Sequence, residues 1–277
     1  MIVPPVITSR QNEAVKRARA LAHGKDASTS AEMCVEGARM IEDALTDGVR
    51  FVMVLASPRL EATERGAALR ERLLRSGNPM IDATDSVLES ISEAAGDQGV
   101  VGVAYKKLWK FEHLLPAGRA PLVVAAWGVQ DPGNLGTIIR TADAAGATGL
   151  VAAAHGASPY NTKSIRATMG AIFRLPVIEH HEDPAAARLV GEFRRHKLEV
   201  IGTSLAAGER HVDVDLARPV AIVMGGEGGG LPDAVLDVCD RAVRIPIRRG
   251  VESLNVASAA AVLLYEAARQ RGFAGLV

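Results

Sequence analysis

The sequence predicts an α/β protein of two domains, and three observations carry that expectation. Short apolar runs of strand length alternate with helical patterns in two successive sets. A charged, proline-bearing break separates the sets, and the sharpest turn signals fall where apolar strands end. At 277 residues, 48% hydrophobic and 23% charged, the chain can bury a sizeable core and is too apolar for wholesale disorder.

Charge and cysteine content narrow the class further. Lys+Arg and Asp+Glu are both 32, so there is no global basic field, and a polyanionic partner has to be met by local patches. Cys34 and Cys239 form no CxxC and have no companion histidine spacing. That argues against a disulfide framework or cysteine-rich zinc site and suits a reducing cytoplasm. Met1-Ile2-Val3-Pro4-Pro5 lacks a signal-peptide pattern, and no apolar run approaches ~20 residues. The expectation is a soluble cytoplasmic protein with no membrane partner.

Ser9 to Lys25 reads as a basic amphipathic helix, with Val15, Ala18, Leu21 and Ala22 on one face and Arg10, Lys16, Arg17, Arg19 and Lys25 outside it. Such a charge run is ordinarily a solvated face; beside a nucleic-acid site it would supply phosphate contacts. The α/β alternation then begins. Strands are expected at Met33–Val35, Phe51–Ala56, Pro79–Ala83 and Val100–Tyr105, with helices at Met40–Asp47, about Leu60 to Arg75, and near Ser86–Ala94. This small α/β/α domain, residues 1–107, holds no phosphate loop, nucleophile elbow or metal cluster and reads as a binding module. Residues 108–120 are the expected linker, wet and anchored by Trp109, and the second domain spans 121–277.

That domain opens with the strand Leu122–Trp127 and the turn Asp131-Pro132-Gly133, after which Asn134 is the expected N-cap of a helix closing at Gly146. Arg140 lies on that helix, where a surface pair with Asp143 is the simple expectation. Further strands are expected at Thr148–Ala154, Arg174–Glu179, Glu199–Ser204, Val220–Met224 and Val243–Ile247, with helices at Thr162–Met169, Pro184–Lys197 and Leu231–Asp237. The last strand runs through Pro246 and an Arg248-Arg249-Gly250 loop into a helix with Ser253 as its expected N-cap.

Two loops stand out chemically. Gly225-Gly226-Glu227-Gly228-Gly229-Gly230 follows a strand, where glycines let backbone approach a ligand. It matches neither G-x-G-x-x-G early in a βαβ unit nor a P-loop, and Glu227 suits a neutral or cationic ligand better than a pyrophosphate. His180-His181-Glu182 superficially suggests a metal, but adjacent residues rarely share a face and no third ligand recurs nearby, so no metal is expected. Asn134, Arg140, Glu227, Ser253 and Asn255 instead all fall at strand ends or in the helices starting there, where open α/β sheets place ligands.

Asp131–Arg140 (DPGNLGTIIR), Met224–Leu231 (MGGEGGGL) and Ile245–Ser258 (IPIRRGVESLNVAS), in this order and spacing, resemble the three motifs of the SpoU/TrmH family of RNA ribose 2′-O-methyltransferases. The likeness covers about Pro121 to Gly272. More loosely, Ser9-Arg10-Gln11-Asn12 and Val35-Glu36-Gly37-Ala38-Arg39 resemble the ribosomal-protein-like substrate-binding domain often fused in front. The resemblance implies a parallel-sheet SPOUT domain with a deep trefoil knot, S-adenosylmethionine as cofactor, and a homodimer built on the knotted domain. It implies cofactor contacts at Thr203, Ser204, Gly225, Gly226, Ile245 and Leu254, and functional polar residues at Asn134, Arg140, Glu227, Ser253 and Asn255. Arg10, Lys16, Arg17, Arg39, Arg248 and Arg249 become candidate RNA contacts. Ribosomal RNA is favoured over transfer RNA, with guanosine the family's common choice. Two alternatives stay open: an inactive RNA-binding or ribosome-associated protein of the same fold, and a nucleotide-dependent oxidoreductase, which rests only on parallel α/β and glycines.

Overall fold

The computed structural model describes residues 6–24, 27–91, 98–180 and 186–277. It divides into two compact units: Met1–Leu108 with Tyr160–Phe173, and Trp109–Pro159 with Arg174–Val277.

In the first unit, strands β1 (Glu32–Glu36), β2 (Phe51–Ala56), β3 (Met80–Asp82) and β4 (Val100–Tyr105) form one sheet in the order β1-β4-β2-β3. β4 runs antiparallel to both neighbours, and β3 joins β2 in parallel. Helix α1 (Glu13–Ala22) starts at Asn12, whose side chain accepts from the Ala14 amide. Its apolar stripe of Val15, Ala18 and Leu21 is buried against Cys34, Met53, Leu55, Val101 and Val103 on one face of the sheet. Helices α2 (Ala38–Thr46), α3 (Glu64–Arg75) and α4 (Asp85–Leu88) complete the main run. The helix expected from about Leu60 is broken: Pro58–Ala62 is a 3-10 turn, Thr63 is extended, and Thr63 then caps α3. The helix expected near Ser86–Ala94 keeps one turn as α4, and residues 92–97 lie outside the described residues, as does Lys25 of the basic helix.

One stretch assigned by the sequence to the second domain packs in the first. The helix Thr162–Thr168 buries Ser164, Ile165 and Thr168 there. Thr162 Oγ1 donates to the Ala22 carbonyl at 2.7 Å, Arg166 pairs with Glu36, and Lys106 Nζ sits 4.5 Å from the centre of the Tyr160 ring. These partners lie more than fifty positions away in sequence, so no local pattern reports them.

The second unit is built on seven strands, all parallel: β5 (Leu122–Trp127), β6 (Gly149–Ala153), β7 (Val177–Glu179), β8 (Glu199–Thr203), β9 (Glu209–Arg210), β10 (Val220–Gly225) and β11 (Arg241–Arg244), in the order β7-β6-β5-β10-β8-β11-β9. β5 and β10 are central and read as continuous apolar runs because both faces are covered. They pair from Val220↔Leu122 to Gly225↔Trp127, which brings the glycine loop beside the end of β5. Helices α5 (Pro132–Ala144), α6 (the Thr162–Thr168 helix of the first unit), α7 (Ala186–Arg195), α8 (Asp233–Leu236) and α9 (Val256–Gln270) follow the strands. α5 and α9 pack against each other.

Two expectations need correcting here. The linker is not wet throughout: Leu114, on the 3-10 turn Phe111–Leu114, is fully buried in the core with Val123, Val151 and Phe193. Phe111 stacks on His196 at 4.8 Å between ring centres. The last strand ends at Arg244, short of the expected Ile247, since Pro246 has no N–H to continue a ladder. Among the described residues, no helix is long and apolar enough to cross a membrane, and no group of three metal-ligating side chains gathers. His181 and Glu182 lie outside the described residues.

Candidate functional site

The parallel sheet delivers the C-terminal ends of β8, β10 and β11 to one rim. There a cleft of about 750 Å³ opens, within the range of small-molecule sites. Thr203 and Ser204 follow β8; Met224, Gly225 and the glycine loop follow β10; Val243, Arg244 and Ile245 follow β11; and Glu252–Val256 closes the far side on the way into α9. All six residues expected to contact cofactor line it, as do Glu227, Ser253 and Asn255. Thr203 is fixed by donating from Oγ1 to the Val223 carbonyl on the neighbouring strand at 3.2 Å. Leu205, Ile247, Leu254 and Leu263 give an apolar wall, while Ser204, Glu252 and backbone supply polar groups.

The glycine loop is shaped first by its own chain. A Cβ on Gly225 would lie 2.1 Å from the Gly230 carbonyl carbon, and one on Gly226 would lie 2.2 Å from the Gly128 oxygen. Gly226 and Gly230 form an isolated antiparallel bridge, and Gly230 takes φ +71 to close it. Only Gly228 and Gly229 project into open space without a positive φ. Close approach to a ligand was the expected reason for these glycines; at Gly225 and Gly226 the crowding comes from the protein's own backbone.

The three motifs meet in one hydrogen-bonded chain. Asn255 Nδ2 donates to Asn134 Oδ1 at 3.0 Å, and Asn134 Nδ2 donates to Glu227 Oε1 at 2.7 Å. The Glu227 carboxylate also accepts from the backbone amides of Gln130 at 3.1 Å and Asp131 at 3.4 Å, in the turn entering α5. Burial alone would raise the Glu227 pKa, but these bonds, Asn134 foremost, outweigh it and hold the carboxyl below its ordinary value. It is therefore an anion that locks motif to motif.

Both capping expectations at this site move by a few residues, with consequences for the chemistry. Asp131, not Asn134, caps α5: its Oδ1 accepts from the Asn134 amide at 2.8 Å, which leaves the Asn134 side chain to bridge Glu227 and Asn255. Asn255, not Ser253, caps α9, accepting from the amides of Ala257 and Ser258 at 2.9 and 3.2 Å while its Nδ2 reaches Asn134. Ser253 is exposed on the cleft wall. Gln130 is a participant that sequence patterns did not single out, and Asp131 was read only as the start of the Asp-Pro-Gly turn, not as the cap.

Arg140 is not gathered into this chain. It is exposed on α5, lines no cleft described here, and has no ion pair or hydrogen bond among the described residues. Its expected partner Asp143 is taken by Arg174, whose Nε donates at 2.9 Å. Arg248 and Arg249 are exposed on a turn closed by Gly250 at φ +88. In the first unit Arg10 and Arg39 are exposed. Lys16 is paired with Glu13 at 2.9 Å, and Arg17 Nε donates to Glu32 at 2.9 Å, so those two cations are already neutralised locally.

A parallel sheet with a small-molecule cleft at its strand ends, and three loop motifs tied by side-chain amides, defines an α/β ligand-binding enzyme fold. Residues 121–265 match the SpoU rRNA Methylase family, and residues 12–102 match the MRM3-like substrate binding domain. The chain belongs to the SpoU rRNA methylase family. Among its relatives is the 23S rRNA (guanosine(2553)-2'-O)-methyltransferase RlmP of Bacillus subtilis, 30% identical over 94% of this chain and 97% of the relative. An uncharacterized tRNA/rRNA methyltransferase of Synechocystis is 33% identical over 96% of this chain and 94% of its own length. Among solved structures, the SpoU methyltransferase AviRb from Streptomyces viridochromogenes, in complex with the cofactor AdoMet, superposes with a TM-score of 0.84 at 30% identity, covering 94% of this chain and 98% of that one.

Two outcomes follow from this geometry. Gly226→Ala forces the loop off Gly128 and should abolish ligand binding in the cleft, whereas Gly228→Ala, whose Cβ would meet no atom within 4 Å, should change binding less than about twofold; calorimetric titration separates them. Asn134→Ala removes the main bond holding the Glu227 pKa down, so the Glu227 titration followed by carboxyl NMR should move up toward the ordinary glutamate range. The depressed pKa makes the bond's contribution present at neutral pH and lost as pH falls through the folded Glu227 pKa. The variant's deficit, about 1 kcal/mol after allowance for exposure, should accordingly vanish in acid.

Proposed function

We propose that this chain transfers a methyl group from S-adenosylmethionine to a ribose 2′-hydroxyl of RNA, with ribosomal RNA as substrate class and guanosine as the nucleotide. The observation that carries this is the Asn255–Asn134–Glu227 chain at the mouth of the strand-end cleft, joining all three motifs. Relatives named as 23S rRNA guanosine 2′-O-methyltransferases, and structures of family members with AdoMet, support it. A cytoplasmic site of action goes with that substrate.

The cleft fits the cofactor. Its volume of about 750 Å³ accommodates a nucleoside with an amino-acid arm, its apolar wall suits an adenine, and no lysine lines it. Backbone at Gly225, Ile245 and Leu254 would hold the ligand, with Thr203, Ser204 and Gly226 beside it, and we take the chain through these loops to form the family's trefoil knot. When bound, S-adenosylmethionine supplies a methyl group already activated on a sulfonium centre. What remains for the protein is to align the acceptor oxygen and stabilise its charge.

Asn134, held between Glu227 and Asn255, fixes the loop that faces the acceptor, and Ser253 and Asn255 keep the cleft mouth polar. Arg140 does not serve as a base, because a guanidinium stays protonated in water. Its role is to orient the ribose 2′-oxygen, with an adjacent phosphate, and to stabilise negative charge on that oxygen, whose proton leaves to solvent water. Because Arg140 lines neither of the two clefts at the strand ends, the site is completed in a homodimer, with RNA meeting residues of both subunits. The exposed Val262 and Tyr265 on α9, which packs against the Arg140 helix, leave apolar area for such a contact. Arg10, Arg39, Arg248 and Arg249 are exposed and free to meet phosphate, whereas Lys16 and Arg17 would first have to exchange their carboxylate partners.

Calorimetry should show the wild-type protein binding S-adenosylmethionine; absence of binding would refute the assignment in favour of an inactive RNA-binding protein. Arg140→Ala should leave cofactor affinity intact and cut single-turnover methyl transfer by roughly 10²–10³, the usual loss of one charge-stabilising donor. Arg140→Lys should recover part of it. An unchanged rate with intact RNA binding would remove Arg140 from the chemistry.

A further inference from the structure

A second cleft, of about 600 Å³, opens beside the first, and none of the assignments above uses it. Both clefts are lined by the loop Gly226–Gly230, which forms their common wall, and by no other shared residue. The second lies at the C-terminal ends of β5 and β6. Trp127, Ala154 and Pro232 give it an apolar surface, and Gln130, Asp131 and Glu227 give it a polar edge.

Trp127 is unusual for its place. Every other residue of β5 is fully buried, and the strand pairs through Gly225↔Trp127 at its very end, where small residues suffice on the neighbouring strands. The indole packs partly on the core and leaves the remainder of its surface in the cleft. The loop lines the same slot with glycine backbone and no side chain to fill the space, since Cβ atoms on Gly228 and Gly229 would meet nothing within 4 Å. A partly exposed indole in a slot lined by bare backbone suits a planar ligand that can stack on it.

The charges narrow that ligand. No lysine or arginine lines the slot, while two carboxylates, Asp131 and Glu227, do. A phosphate would be repelled there. Glu227 accepts three hydrogen bonds from Asn134, Gln130 and Asp131 and is held ionised, so the edge presents acceptors and negative charge. A neutral ring bearing N–H donors matches both the stacking surface and the edge. Unpaired nucleobases have those properties, and proteins take them by stacking on aromatic side chains while reading their edges.

We propose that this slot is the pocket for an unpaired nucleobase of the RNA substrate, with the base stacked on Trp127 and the shared glycine loop separating it from the cofactor cleft. The proposal rests on the methyl-transfer function above and adds the subsite that holds the RNA. It explains why one short loop faces two clefts: the acceptor nucleotide and the methyl donor must be neighbours, and the Gly226–Gly230 loop lines both spaces. It also gives the Glu227 carboxylate a second use, as an acceptor edge toward the base.

The chain contains two tryptophans, so Trp109→Phe leaves Trp127 as the sole indole reporter. A randomised ten-nucleotide single-stranded RNA should quench Trp127 emission saturably. A ten-nucleotide abasic ribose–phosphate strand, whose own binding is followed by anisotropy, should not. Trp127→Ala should weaken the ten-nucleotide RNA roughly tenfold while leaving S-adenosylmethionine affinity within twofold, and Trp127→Phe, which keeps a stacking face and the core packing, should recover most of the loss. RNA that binds without changing Trp127 emission, equal quenching by the abasic strand, or no RNA binding at all would overturn the proposal. Quenching by S-adenosylmethionine alone, abolished by no RNA, would overturn it too, by assigning the slot to the cofactor. Failure of the wild-type protein to bind S-adenosylmethionine is a separate result and strikes the methyl-transfer assignment instead.

Discussion

The hydrogen bond from Asn134 to Glu227 is the contact on which the site depends. At 2.7 Å it joins the helix after β5 to the loop after β10, and through Asn134 Oδ1 it reaches the start of α9. These segments lie about a hundred positions apart in sequence, yet parallel pairing of β5 with β10 sets them side by side. The sheet supplies the proximity, and the amide–carboxylate chain converts proximity into a fixed arrangement. A charge-assisted bond is well suited to this, because an ionised acceptor strengthens each of the donors aimed at it.

The glycine loop shows how little freedom remains once that bond is made. Glu227 can turn toward α5 only if Gly226 lies against the Gly128 carbonyl and Gly225 against Gly230, separations that no side chain allows. The same folding-back leaves Gly228 and Gly229 with open space where a Cβ would stand, and both line the two clefts. One tight loop thereby produces the wall of the strand-end cleft and the wall of the slot beside Trp127. Stability and function are not traded against each other at Gly225 and Gly226; the backbone contact that makes the loop is also what shapes the two spaces.

Much of the fold was legible in the sequence, for identifiable reasons. Phe51–Ala56, Val100–Tyr105 and Leu122–Trp127 come out of the structure with the bounds expected from apolar run length, because each is a buried strand bracketed by polar or glycine turns. Helix starts were less legible. Asp131 and Asn134 are both capping residues three positions apart, as are Ser253 and Asn255 two apart, and only the backbone angles decide which of each pair caps. The motif chemistry was readable in residue type, but the wiring was not: nothing local says that Asn134 spends its amide on Glu227 instead of on a helix end. The least legible feature was Tyr160–Phe173, whose packing in the first unit depends on Ala22, Glu36 and Lys106. Arg17 illustrates the converse, a cation that reads as free in sequence and is bound to Glu32 in the fold.

Transfer of a methyl group to ribosomal RNA is the consequence by which the whole account stands. The direct test is mapping ribose 2′-O-methylation across total RNA from cells with the protein, without it, and with Asn134→Ala in its place. The account predicts one ribosomal RNA position, a guanosine, that is methylated only when the intact protein is present and is strongly depleted in the Asn134→Ala strain. Identical methylation maps in all three would contradict it.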